Sequence, residues 1–289
     1  MHKIVDDQKT WQKALQWLKQ HEDSSSRRKL LNECWILLSL LQWNTRIYLP
    51  GGAGPVTNFA QLLGDKMISG DVVDMMMGHL AERIEVDEDT SRTYRITTLS
   101  FQDHISKAWD SRKSNRLRYE PPNFLRQIIT EMKKTPKTLL FPVHMKIKHY
   151  LGFAIDFKER LLCLGKQDPI YATSNRYSLE PDFTGDSLEI EQQHPEIRLA
   201  YKQIQWWLEE NFQGPFEDLG GTIEHGIQRD STSCAFTTAN MFAHKALDEP
   251  LWNVSQKDSE RVLWFNRLVK QQISVRISSY LVYRSKTHL

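Results

Sequence analysis

The chain has 289 residues, 40% hydrophobic and 26% charged, with a formal net charge of +2. That length admits one large domain or two small ones with a substantial core, and the near balance of charge excludes bulk electrostatic attraction to nucleic acid. The longest apolar-rich run, residues 35–43, is far shorter than the roughly 20 residues of a membrane-spanning helix, so no membrane partner is expected.

Residues 8–20 read as an amphipathic helix carrying Trp11, Leu15 and Leu18, and HEDSSS (21–26) is a polar break. A leucine-rich helix is expected over 27–42, a Gly/Pro loop over 49–55, and helices over 56–64 and 71–84. An acidic turn (85–91) leads to a strand-like run, 92–101. The Pro121–Pro122 pair introduces a helix over 123–134. Three strand-like runs follow, 138–143, 146–157 and 160–165, the last two joined by a turn at Lys158 and Glu159. Residues 173–187 carry turn chemistry, 195–212 a helical period, and 222–228 a further strand. Phe236, Ala239, Phe242, Ala243 and Ala246 recur at helical spacing up to Leu247; 258–272 is helical, and 273–283 is ambiguous. Helices flanking a central cluster of strands give an α+β fold. Residues 1–34 read as an N-terminal helical extension and 35–289 as the main domain.

The three cysteines, Cys34, Cys163 and Cys234, are widely spaced and odd in number. That suits a reducing compartment, nucleus or cytoplasm, and offers no metal-ligand spacing; no cofactor is expected. Cys234 follows a Ser/Thr-rich turn and opens a helix, with Gln228 shortly before it and His149 far upstream at the head of HYLGFAIDF. A thiol, an imidazole and an amide donor are the parts of a cysteine hydrolase. A helix N-terminus and a neighbouring imidazolium both favour the thiolate, so Cys234 is expected to be the one low-pKa thiol. Ser231 or Ser233 is a candidate helix cap, and Gln228 a candidate oxyanion donor. A buried structural cysteine behind a polar turn is the competing reading.

HGIQRDSTSCAFTTAN together with TLLFPVHMKIKHYLGFAIDFKERLL (138–162) resembles the ubiquitin-like-protein-specific (SUMO) cysteine proteases of the adenain-like clan, in the version common in fungal genomes near mobile elements. MISGDVVDMMMGHL (67–80) is similar to the helix at the entry of that family's substrate groove. The resemblance implies a papain-like α+β fold, a central mixed sheet flanked by helices, with Cys234 as nucleophile, His149 as base and Gln228 in the oxyanion hole. It also implies that Met67 and Tyr150 stand where the family's aromatic rings enclose the substrate's tail, with a ubiquitin-like modifier as partner. Ala235 replaces the family's glycine after the cysteine.

The family's orienting acid falls on Lys166; Asp168, two residues on, is the candidate that orients His149 in its place. A hairpin centred between Lys158 and Glu159 pairs position 149 with 168, and one centred a residue earlier pairs it with 166. Sequence leaves both registers open. Three functions stay open with them: a peptidase that cuts the tail of a ubiquitin-like modifier, a degenerate domain that only binds one, and a DNA-associated accessory domain of a mobile element. Lys166, Met67 and Ala235 favour the second. The absence of a basic patch argues against the third.

Overall fold

Two periodicities divide the chain. Apolar residues at helical spacing occur along its whole length, while alternation with period two is confined to its middle, and the sheet forms there. The computed structural model describes residues 2–22, 27–112, 120–146, 149–165, 195–226, 228 and 230–286. These separate into two compact units, one of residues 1–79 with 255–289 and one of residues 80–254.

In the first unit α1 (His2–Gln20) buries Trp11, Ala14, Trp17 and Leu18 along one stripe and packs on a 3-10 helix, Val56–Leu62. Helix α2 (Arg28–Leu40) buries Leu31, Cys34, Leu37 and Leu38 and packs on the long C-terminal helix Lys257–Lys286, whose Asn266 donates to the Leu30 carbonyl at 3.1 Å. The buried Arg261 donates to the backbone carbonyls of Gln61 and Lys66. The Gly/Pro stretch expected to be a loop is a hairpin, β1 (Arg46–Leu49) and β2 (Gly52–Pro55), turned at Gly51 with φ +85. Its tip lies so close to α3 (Gly70–Val86) that a Cβ on Gly78 would stand 1.9 Å from the Pro50 carbonyl oxygen.

The second unit holds a five-stranded mixed sheet in the order β3 (Tyr94–Ile96), β4 (Thr138–Met145), β5 (His149–Asp156), β6 (Leu161–Gly165), β7 (Glu217–Ile223). The outer pairs β3/β4 and β6/β7 are parallel and the inner pairs antiparallel. The strand expected over 92–101 shrinks to three residues. Asp87 accepts from the Thr90 amide and starts a short helix, α4 (Glu88–Thr93), and α5 (Ser100–Ser111) follows; the N-cap competes with strand pairing and wins locally. Strand 222–228 lies earlier than expected, at Glu217–Ile223.

Alternate residues of the central strands (Phe141 and Val143; Leu151, Phe153 and Ile155) join one core with α5, α6 (Asn123–Lys134) and α7 (Pro195–Asn211). Helix α8 (Cys234–Leu247) packs on β5. The β5–β6 turn is built by Asp156, whose Oδ1 accepts from the amides of Lys158 and Glu159, both at 2.9 Å, while Thr138 donates to its Oδ2 at 3.0 Å. Arg160 closes the turn at φ 60. The ladder pairs Asp156 with Leu161 and Phe153 with Leu164, so the hairpin axis falls between Lys158 and Glu159. Among the described residues no helix is long and apolar enough to cross a membrane.

Candidate active site

Cys234 is the first residue of α8, and the turn before it is organised by a side chain that the sequence reading left without a role. Asp230 Oδ1 accepts from the Thr232 and Ser233 amides, each at 2.7 Å, and from the Thr232 hydroxyl at 3.1 Å. Its Oδ2 accepts from the Ser233 hydroxyl at 2.7 Å. The expected serine cap is therefore corrected: Ser233 occupies the N-cap position, but its side chain accepts no bond from the helix, which it meets only through its carbonyl. A carboxylate three residues back offers two strong acceptors, and the hydroxyl is drawn to donate to it. Asp in H-G-x-Q-x-D was visible as part of the motif, and its turn propensity was the available signal.

The helix is held against β5 by size and by hydrogen bonding. A Cβ on Gly152 would meet Met241 Cε at 1.7 Å and Phe242 Cε1 at 2.9 Å, so any side chain there would have to displace the ends of these two residues. One turn into the helix, the Thr238 hydroxyl donates to the Tyr150 carbonyl at 3.3 Å. The Tyr150 backbone amide hydrogen-bonds the Cys234 sulfur. The strand residue next to His149 thus touches the thiol through its main chain.

Burial dominates the electrostatics on both sides. It pushes the Cys234 thiol up to about 11, against the opposing amide bonds from Tyr150 and Ala235, and the nearby Asp230 carboxylate adds to the rise. Burial, with the His144 imidazole adding to it, pulls His149 down to about 4. Both groups are neutral at pH 7. The expectation of a low-pKa Cys234 is corrected, because loss of hydration outweighs the helix start and the N–H donors. Cys34 is pushed higher still, to about 12. His149 Nε2 is buried and has no hydrogen-bond partner among the described residues.

Gln228 is buried, and its Nε2 donates to the Asp230 carbonyl. That bond turns the amide into the loop that carries the cysteine. Tyr150 is buried, with its ring stacked on His144 at 4.8 Å between centroids. Met67 is half-buried and lies in the first unit, just before α3. The Asp168 assignment and Lys166 both fall outside the described residues. Of the expected site residues, the second unit brings Cys234, Gln228, His149 and Tyr150 onto one loop, the helix that follows it and the head of one strand.

No family model matches the chain, and no curated protein matches it. Solved structures do. The SUMO protease Ulp1 with its catalytic cysteine oxidised to a sulfenic acid matches with a TM-score of 0.55 at 12% identity, over 84% of this chain and 94% of that chain. The C-terminal Ulp1 protease domain in complex with Smt3, the yeast ortholog of SUMO, matches at 0.53 and 12%, over 84% and 95%. A de-sumoylating protease matches at 0.51 and 11%, over 86% and 97%. The chain has the α+β fold of these proteases, a mixed five-stranded sheet flanked by helices.

Proposed function

We propose that this chain is a cysteine peptidase that cuts the C-terminal tail of SUMO or a related ubiquitin-like modifier. The observation that carries the reading is the contact between Cys234, at the start of a buried helix, and the main chain of Tyr150, beside His149, in a fold shared with SUMO proteases. Cys234 Sγ attacks the carbonyl carbon of the scissile bond as its proton passes to His149. The tetrahedral oxyanion takes hydrogen bonds from Gln228 and the Cys234 amide. The C–N bond then breaks, the amine leaves with the proton from His149, and a thioester remains. Water, deprotonated by His149, releases the acid and regenerates the thiol. A neutral resting pair suits this sequence, because charge separates only as the bond forms.

Asp168 orients His149 in this reading. It is supported by the hairpin axis between Lys158 and Glu159, the register under which position 149 is opposite 168 and not 166, and by the buried Nε2 that a carboxylate would satisfy. In this reading Tyr150 is next to the path of the tail. The partner is a SUMO-like protein, as in the Ulp1–Smt3 complex.

The test is incubation with SUMO bearing a C-terminal vinyl sulfone and with a fluorogenic SUMO amide. A covalent adduct on Cys234, turnover in the wild type, and loss of both in Cys234→Ala are the expected results. The neutral His149, whose Nε2 has no partner among the described residues, favours a second reading, a domain that binds the modifier without cutting it. Binding with neither adduct nor turnover would select that one.

A further inference from the structure

Asn240 stands inside α8, less than two turns beyond Cys234, in a helix whose neighbouring positions are apolar and buried. Asparagine is a poor helix former, and a buried carboxamide is costly unless both its ends are bonded. Here both are. Its Nδ2 donates to the Pro250 carbonyl at 2.9 Å, and its Oδ1 accepts from the Trp252 amide at 2.6 Å. The segment 250–252 has no regular secondary structure of its own, so this fork ties it to the helix.

That segment is in turn the floor of the loop before the cysteine. A Cβ on Gly226 would lie 2.0 Å from the Trp252 carbonyl oxygen and 2.9 Å from its Cβ, so the two backbones meet with no side chain between them. Gln228 is two residues further along that loop, buried, with its amide on the Asp230 carbonyl. The glycine of the H-G-x-Q motif is thereby explained as a contact with Trp252.

We propose that Asn240 is a positioning residue for Gln228: by clamping 250–252 it sets the surface on which Gly226 rests, and so the place from which the Gln228 amide reaches a developing oxyanion. The proposal rests on the reading of Gln228 as oxyanion donor. It adds a residue that never touches substrate and acts through two loops.

The experiment uses the full chain, the fluorogenic SUMO amide, and hydrogen exchange of the 224–233 peptide followed by mass spectrometry. Asn240→Ala is expected to lower kcat about 10- to 100-fold with KM within about twofold, the cost of a displacement on the ångström scale. It is also expected to speed exchange over 224–233 while β4 and β5 keep their protection. In a Gln228→Ala background the same change should cost less than about threefold, because the donor whose position it controls is gone. Asn240→Asp keeps the acceptor for the Trp252 amide and should retain more of kcat than Asn240→Ala; it also carries the test if the alanine variant does not fold. An equal loss in both backgrounds, or unchanged exchange over 224–233, overturns the proposal. Faster exchange confined to 224–233 in a chain whose wild type never turns over would remove the peptidase reading and leave the clamp standing.

Discussion

The loop that leads into Cys234 and the head of β5 at His149 meet at the Tyr150 main chain, yet they are held in opposite ways. On the cysteine side the polar groups are paired within a short stretch of chain. Asp230 accepts four hydrogen bonds from Thr232 and Ser233, and Gln228 donates back to Asp230. On the histidine side the imidazole is buried, its Nε2 has no partner among the described residues, and its neighbour is another imidazole, His144. The cysteine side is organised by groups close to it in the chain; among the described residues no such pairing reaches His149 Nε2.

The largest expected effect tests the cysteine side. Cys234→Ala should abolish both electrophile labelling and turnover, a loss of at least about 10⁴-fold; residual turnover near wild type would mean that another residue is the nucleophile. The acid comes next and tests the histidine side. Asp168→Asn should lower kcat by about 10³-fold, because the imidazole loses the carboxylate that holds its tautomer, while Lys166→Asp should change it little. A large gain from Lys166→Asp with no loss from Asp168→Asn would instead describe a degenerate site awaiting its acid.

Gln228→Ala should cost about 10²–10³-fold in kcat through the lost oxyanion bond. Steady-state kinetics at saturating substrate measure this, and an unchanged kcat removes the residue from the mechanism. The smallest effect is read in stability. His149 titrates near 4 in the folded chain against 6.5 for its ordinary value, so the unfolded chain binds more protons between those pH values. Folding stability should therefore fall as pH drops through that window, by up to about 3 kcal/mol from this group alone. Urea melts at pH 7 and pH 4 should show a smaller loss for His149→Gln than for the wild type. Equal losses would mean that His149 titrates normally.

Much of this was legible in the linear pattern. Helices 123–134 and 195–212, the three central strands and the helix at Cys234 follow from period and turn chemistry, because each is long or strongly alternating. The strand expected over 92–101 and the loop expected over 49–55 failed where local devices prevailed: the Asp87 cap in one, and a glycine turn seated on α3 in the other. The turn at Lys158 and Glu159 was readable, but its register was not, since that required knowing that both oxygens of Asp156 are engaged at the turn.

The sequence by itself determined which residues are the candidates for chemistry: a thiol at a helix start, an amide before it, and an imidazole at the head of a strand. It also determined the α+β class, because hydrophobic period is a local property of the chain. Only the tertiary structure decided the charge state of the pair. Helix start and hydrogen bonds argue for a low thiol pKa, and burial, which no linear pattern reports, reverses the sign. Only the tertiary structure disclosed the hairpin axis between Lys158 and Glu159 and the clamp of Asn240 on 250–252. Both depend on which backbones come to lie against each other, and that is settled by packing and not by spacing along the chain.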